Sequence, residues 1–181
     1  MADLTVPLLT GRPSNTADPA GRRRESLWDI IELLFFAYRD FVGDPDDVLA
    51  KFGFGRAHHR VLHFINRNPG MIVAELLDIL KITKQSLGRV LKQLVDQGYV
   101  VQKEGASDRR QRLLYVTAKG EALAMKLAGL QAERIASALT ELGADAHDSA
   151  RRFLAAMINA ENRESVLRII ARADRARGQR S

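Results

Sequence analysis

Apolar residues recur at helical spacing along most of the chain. The clearest stripe lies near the middle and follows the i, i+3, i+4, i+7, i+8 spacing of a helix with one buried face. Its members are Leu87, Val90, Leu91, Leu94 and Val95. Thr83 is a good N-cap before this stripe and Gly98 is a good stop after it, so we predict a helix over about 83–96.

Further helices are predicted on both sides of this one, each between ordinary start and stop residues. Ser26 can cap the first helix, and Gly43 and Pro45 then break it. Thr117 can cap a long helix that Gly143 ends. With the central helix, the predicted helices cover about 26–42, 56–67, 74–80, 83–96, 117–142, 145–160 and 163–176.

Strand-like patterning is confined to two short runs, 99–101 and 113–116, which a polar stretch separates. They predict a β-hairpin with a charged tip. Two short helices joined by a tight turn and followed by a hairpin make a winged helix-turn-helix. The fold class we expect is therefore mainly α with a small β-hairpin wing.

The net charge of +6 and the isoelectric point near 10.0 favour an anionic partner. Residues 81–120 hold nine basic and three acidic side chains, and this excess equals the net charge of the whole chain. The predicted 83–96 helix also opposes its apolar stripe with a basic, amide-rich face. Such a helix suits the major groove of DNA, where Gln85 can pair with adenine and Arg89 with guanine or a phosphate.

Several functional classes are disfavoured. The chain has no cysteine, which rules out disulfides and thiolate metal sites within it. We find no membrane-spanning run and no secretory signal, so we expect a cytoplasmic protein with no membrane partner. No nucleophile, carboxylate pair or phosphate loop rises above chance, so we expect that the protein is not an enzyme and needs no cofactor.

Residues 80–123, LKITKQSLGRVLKQLVDQGYVVQKEGASDRRQRLLYVTAKGEAL, resemble the MarR family of bacterial regulators. The most specific part is the wing signature, an Asp-x-Arg at 108–110 followed by a strand, Thr117 and Gly120. The resemblance extends over about 26–160. Val73 stands where the family usually has a Ser or Thr cap, and Lys81 where its turn often has Gly.

The resemblance implies a homodimer whose first and last helices interleave, with a reading helix from each subunit in successive major grooves of an inverted-repeat operator. An apolar stripe suited to crossing the dimer axis consists of Phe153, Leu154, Met157 and Ile158. The resulting domain prediction is a flexible basic arm at 1–25, a dimerisation helix and linker at 26–55, the DNA-binding domain at 56–118, dimerisation helices at 119–176 and a basic tail at 177–181.

In the wing, the resemblance assigns Arg110 to a position that Asp108 clamps, and either Arg109 or Arg110 can enter a narrow minor groove. Ser86 and the helix amino terminus suit a phosphate. The full predicted DNA-binding set is Thr83, Lys84, Gln85, Ser86, Arg89, Lys92, Asp108, Arg109, Arg110 and Arg112.

The resemblance also implies a small-molecule effector site between the dimer helices and the winged domain. Its predicted lining is Phe36, Tyr38, Arg39, Arg56, His59 and His63. The i, i+4 spacing of the two histidines is compatible with a metal, but without cysteine or well-placed acids we predict no metal site. The functional prediction is a DNA-binding repressor; the alternatives are an architectural winged-helix protein without a ligand and a protein-binding module.

Overall fold

The computed structural model describes residues 27–105 and 111–178. The chain falls into two compact units, 1–38 and 39–181. The described part of the first unit is helical from Trp28, with most of its large apolar side chains exposed to solvent. The expectations for the arm at 1–25 and for the Ser26 cap lie outside the described residues.

The described elements follow the predicted order. They are α1 (Trp28–Ala50), α2 (Arg56–Arg67), β1 (Met71–Ile72), α3 (Val73–Leu80), α4 (Lys84–Asp96), β2 (Val100–Glu104), β3 (Arg112–Val116), α5 (Ala118–Leu142), α6 (Ala146–Met157) and α7 (Ala160–Gly178). The predicted class, mainly helical with a small wing, is confirmed.

The strands of the described ranges form an antiparallel sheet in the order β1-β3-β2. β2 and β3 are the predicted hairpin, with Val100 opposite Val116 and Glu104 opposite Arg112. β1 was not predicted, because two residues are too few to show a strand period. It pairs Met71 with Leu114 and so joins the start of α3 to the wing.

The main core lies inside the winged domain. It is built from α2, α3, α4, the sheet and the first turns of α5, with the end of α1 added. Its fully buried members include Leu49, Leu62, Ile65, Leu76, Leu87, Leu94, Leu114 and Leu127. The predicted stripe of α4 supplies part of this core, which fixes the opposite face of α4 outward.

The predicted break of the first helix at Gly43 and Pro45 is wrong, since α1 continues to Ala50. Proline has no N–H to donate to the carbonyl four residues earlier, which here is that of Phe41. The side-chain amide of Gln131, on α5, donates to this carbonyl at 3.4 Å. A tertiary hydrogen bond therefore replaces the missing helical one, and the helix tolerates Pro45.

Helix ends elsewhere agree with the predicted residues to within a few positions. Thr83 caps α4 and Thr117 caps α5, each by accepting a backbone N–H three residues later. Gly143 follows α5 with a positive φ. α6 ends at Met157 instead of about 160, and α7 is longer than predicted at both ends.

The chain forms the start of α3 and the turn to α4 without the Ser or Thr cap and the turn Gly that are usual in the MarR family. Glu75 accepts the backbone N–H of Ile72 at 2.9 Å, so the cap comes from inside the helix. Lys81 ends α3 with φ 51° and ψ 44°, the left-handed conformation that glycine adopts at lower cost. The chain therefore keeps the tight turn with a lysine.

The junction between the wing and α5 is held by Thr117 and Gly120. The Thr117 hydroxyl donates to the carbonyl of Gly98 at 2.7 Å and accepts the N–H of Gly120 at 3.0 Å. A Cβ built on Gly120 would lie 2.0 Å from the carbonyl oxygen of Tyr99. The Thr and Gly of the wing signature therefore permit a direct backbone contact.

Helix α7 packs back onto the winged domain. Arg172 donates to Asn68, the C-cap residue of α2, at 3.4 Å and to Glu75 of α3 at 3.2 Å. Arg67 of α2 pairs with Asp174, and Ala173 between them is buried. One turn of α7 thus contacts the junction between α2 and α3 at Arg67, Asn68 and Glu75, which we call the elbow. Within the described ranges, no helix has the length and apolar character needed to span a bilayer.

Candidate nucleic-acid interface

The outward face of α4 carries six residues of the predicted DNA-binding set, all exposed. They are Thr83, the N-cap residue, and Lys84, Gln85, Ser86, Arg89 and Lys92. Leu87 and Leu94 on the opposite face are fully buried, so the rotation of the helix about its own axis is fixed. The structure therefore brings these six side chains onto one accessible surface.

Three of these side chains have their donors available. In the part of the chain that the structure describes, Lys84, Gln85 and Arg89 make no hydrogen bond or ion pair. Lys92 instead donates to Asp96, one turn later, at 2.6 Å. Both carboxylate and ammonium are more than half exposed, so this surface pair is weak enough to exchange for an external anion.

The amino terminus of α4 is organised by its cap. The Thr83 hydroxyl accepts the N–H of Ser86 at 3.1 Å and donates to the Ser86 hydroxyl at 2.9 Å. The Ser86 hydroxyl keeps its own proton for another acceptor. Together with the positive end of the helix dipole, this geometry suits a phosphate oxygen.

The wing presents its charged side chains on the β2–β3 hairpin. Arg112 donates to Glu104 across the hairpin at 2.9 Å, so one predicted DNA-binding residue is engaged in an exposed ion pair. Lys103, which the sequence prediction did not include, lies 5.0 Å from the centre of the Tyr115 ring. Asp108, Arg109 and Arg110 lie outside the described residues, so their roles stay predictions.

A second contact that sequence reasoning missed ties α4 to the start of α2. The N–H of Gly55 donates to Nδ1 of His58, so Nε2 carries the proton and donates to Gln93 of α4 at 2.7 Å. The imidazole also stacks on Phe54, with ring centres 4.7 Å apart. Arg60 adds a hydrogen bond to the last carbonyl of α3 at 3.3 Å. Because Gln93 lies 35 positions from His58 and Leu80 lies 20 positions from Arg60, no local pattern indicates these two contacts.

A groove of about 710 Å³ separates α4 from β2. Lys84, Gly88 and Lys92 line its α4 side, and Val101 and Gln102 line its β2 side. With Leu91, Val95 and Val100 also in the lining, its walls are largely apolar, and Lys84, Lys92 and Asp96 lie along the α4 side. The groove runs beside the outward face of α4 and opens to the same solvent.

The predicted effector residues lie on α1 and α2. Phe36 and Tyr38 belong to the first unit and are exposed there. In the second unit, Arg39 pairs with Asp40, and Arg56 pairs with Asp46 at 2.6 Å. The effector site stays a prediction.

His59 and His63, the two α2 histidines of the predicted effector set, are largely buried. His59 is 7% exposed, and burial lowers its pKa. His63 is half-buried, and burial, with smaller contributions from His59 and Arg67, lowers its pKa to about 4. Both are neutral at pH 7. Among the described residues, no group of three or more histidine, aspartate or glutamate side chains is arranged to hold a metal.

Comparison with known proteins gives consistent matches. Residues 52–111 match the model of the MarR family. The HTH-type transcriptional regulator PetP of Rhodobacter capsulatus is 45% identical over 135 residues, which is 75% of this chain and 81% of that protein.

Solved structures show the same fold. A MarR-type regulator from Listeria monocytogenes, solved with a 26mer DNA, is 21% identical with a TM-score of 0.63; the match covers 79% of this chain and 95% of that one. A MarR family protein of Mycobacterium tuberculosis, solved with salicylic acid, is 26% identical with a TM-score of 0.50; the match covers 67% and 90%.

Proposed function

Because the chain belongs to the MarR family of transcriptional regulators, we propose that it represses transcription by binding inverted-repeat operators as a homodimer. The observation that carries this proposal is the outward face of α4. Among the described residues, the donors of Lys84, Gln85 and Arg89 have no partner, and the other face of the helix is buried in the core. The MarR-type Listeria structure with DNA supports a nucleic acid as the partner of this face.

In the proposed complex, α4 enters the major groove. Gln85 pairs with an adenine edge and Arg89 with a guanine edge or a phosphate, while Ser86 and the amino terminus of α4 hold the flanking phosphate. Arg109 or Arg110, aimed by Asp108, enters the adjacent minor groove, and Arg112 exchanges Glu104 for the DNA backbone. Phosphate contacts fix the register and the major-groove contacts supply the sequence preference.

The proposed homodimer accounts for apolar surface on the carboxy-terminal helices. None of the twelve residues of α6 is buried. Its large apolar side chains Phe153, Leu154 and Met157 are each at least half exposed. A helix of this length is marginal without tertiary packing. A second copy of the chain would cover this face and would give the twofold symmetry that an inverted repeat requires.

We also propose release by a small anionic aromatic effector, for which the salicylic acid complex of the Mycobacterium protein is the support. Its predicted site includes Arg39, Arg56, His59 and His63, with Phe36 and Tyr38. Salicylate added to a preformed complex should then lower the fraction of DNA bound. An unchanged fraction at millimolar salicylate, with benzoate as a second probe, would remove this part of the proposal.

The test begins with selection of binding sites from a random duplex pool. We expect an inverted repeat to be enriched, and its affinity to fall steeply between about 50 and 200 mM salt as counterions are released. Sedimentation should show two chains per bound duplex. Weak, uniform binding without an enriched site would favour the architectural alternative, and no binding at all would favour a protein-binding module.

A substitution at Arg89 should separate base readout from general charge. We expect Arg89→Ala to weaken binding to the enriched site by about 1–3 kcal/mol, because a bidentate contact to a base edge has that value. Arg175→Ala is the matched control, since Arg175 is an exposed arginine on α7. Equal losses in the two variants, measured by fluorescence anisotropy, would contradict a specific role for α4.

A further inference from the structure

We infer that Gly88 is a contact point at which one DNA strand lies directly against the backbone of α4, in the groove between this helix and β2. The inference rests on the proposed function and adds a specificity-determining residue to it. Gly88 carries none of the charge or hydrogen-bonding chemistry by which DNA-binding side chains are usually identified. Its significance comes from the side chain that it lacks.

Nothing within the described fold requires a glycine at this position. Gly88 lies in the interior of α4, where glycine is less favourable than alanine because it costs more backbone entropy. Its φ is not positive, unlike those of Gly70 and Gly98. A Cβ built on Gly88 would meet no atom of the described residues within 4 Å. The backbone at Gly88 is therefore accessible, among the residues that the structure describes, to a partner from outside the chain.

The neighbours of Gly88 indicate what that occupant is. Lys84 precedes it by one turn and Lys92 follows it by one turn, so the three residues form a row along the helix. All three are exposed and line the groove beside β2. Two ammonium groups on either side of a bare stretch of backbone suit a polyanion that runs along the row, once Lys92 exchanges its exposed pair with Asp96, which also lines the groove, for a phosphate.

The position of the row favours the sugar–phosphate backbone over a base edge. At about 100° per residue, Gly88 lies about 60° to one side of Gln85, and Arg89 lies on the other side. Lys84, Gly88 and Lys92 line the groove beside the wing, whereas Gln85 and Arg89 are not among its lining residues and, in the proposed complex, point at the base edges. A strand bordering the major groove has to pass between a reading helix and a wing that reaches the next minor groove.

The apolar lining of the groove fits the same occupant. Val101 of β2 lines the groove, and more than one-third of this apolar side chain is exposed to solvent. Deoxyribose presents carbon atoms to such a surface, while its phosphates reach the lysines. A methyl group on residue 88 would lie between the strand and the helix and would hold them apart.

The test is Gly88→Ala, compared with the unmodified full-length chain on the duplex enriched from the random pool. We expect the midpoint of thermal unfolding to rise by about 2–4 °C, because alanine is the better helix residue and its Cβ meets nothing. We expect affinity for the duplex to fall at least about tenfold. We also expect the slope of log affinity against log salt to become shallower by about one unit as one phosphate contact is lost.

Gly129→Ala is the matched control, because Gly129 is also a helix-interior glycine whose Cβ would meet nothing within 4 Å. It should raise thermal stability and, where sedimentation shows the same oligomeric state as the unmodified chain, leave affinity and salt slope unchanged. If Gly88→Ala binds as tightly as the unmodified chain, or if both variants lose affinity equally, the inference about Gly88 is wrong. If the unmodified chain enriches no site, the proposed function itself fails, and the two failures are thereby distinguished.

Discussion

At the scale of single residues, backbone contacts decide positions that side-chain chemistry does not explain. Gly120 is buried in the first turn of α5, and its Cα lies against the carbonyl of Tyr99. Thr117 holds the same two segments together through its hydroxyl. The wing signature therefore includes residues that hold the end of α4 and the start of β2 against the first turn of α5.

Replacing Gly120 with alanine should destabilise the protein by about 3 kcal/mol or more. The new Cβ would meet a backbone oxygen at 2.0 Å, and backbone cannot move aside as a flexible side chain can. Urea unfolding followed by circular dichroism measures the change in the free energy of unfolding. The same substitution at Gly129, where space is open, should be neutral or slightly stabilising. A Gly120→Ala protein of unchanged stability would show that the junction relaxes freely.

Residue-scale prediction from the sequence succeeded where one local rule applies. Thr83 and Thr117 are threonines directly before apolar stripes, and both cap as predicted. The sequence prediction missed the capping role of Glu75, because the rule considers a Ser or Thr at the cap position. Here the acceptor comes from the third residue of the helix. The left-handed conformation of Lys81 also could not be predicted, because lysine rarely adopts it.

At the scale of elements, helices persist or end according to tertiary partners as well as local residues. α1 passes through Pro45 because Gln131, far away in sequence, donates to the carbonyl that proline leaves without a donor. Sequence reasoning applied the local rule and ended the helix early. For α4 the local rule and the tertiary packing agree, so its bounds and its buried stripe were predicted correctly.

Helix α2 should make stability depend on pH through His63. Burial lowers the pKa of His63 to about 4, whereas an unfolded histidine titrates near 6.5. Between these values the unfolded chain binds more protons, so the free energy of unfolding should fall as pH drops from 6.5 and level off below about 4. The full loss is on the order of 3 kcal/mol. His63→Leu should remove this part of the pH dependence in urea titrations at pH 7.0, 5.5 and 4.5.

An unchanged pH profile in the His63→Leu protein would assign the loss to other groups. His147→Leu is a suitable comparison, because His147 lies exposed on α6 beside Asp148. Its substitution should leave the profile between pH 7.0 and 4.5 close to that of the unmodified chain. A profile altered by His147→Leu alone would contradict the assignment to α2.

At the scale of the whole molecule, the order of elements was predictable because it depends on period, caps and turns along the chain. The packing of α7 on the elbow of α2 and α3 was not. Its contacts join residues about one hundred positions apart, as in Arg172 with Asn68 and Arg67 with Asp174. Each participating side chain looks like ordinary surface charge in the sequence. For the candidate site, the α4 residues were found from their exposed face, whereas Lys103 and the contact of His58 with Gln93 needed the fold.

Reversing the charge at the end of α7 should loosen this packing, and a paired reversal should restore it. Asp174→Arg places two arginines together and should cost up to about 1 kcal/mol, since Asp174 is mostly exposed. The double variant Arg67→Asp/Asp174→Arg should recover most of that loss, and the double-mutant cycle gives the coupling energy. Amide hydrogen exchange at the end of α2 should be faster in the single variant and should return toward the original rate in the double variant. Arg168→Glu, whose partner Glu164 lies on α7 itself, should leave exchange in α2 unchanged.

The distance along the chain between the elbow and its partners in α7 has a consequence for synthesis. Every element of the winged domain up to β3 has been made by Val116, but Arg172 and Asp174 follow more than fifty residues later. At about 5–20 residues per second, a ribosome needs roughly 3–12 s to reach them. During that interval the nascent winged domain lacks its contacts with α7. The junction between α2 and α3 is thus made before the helix that packs on it, and a stalled or truncated chain would expose Asn68 and Glu75.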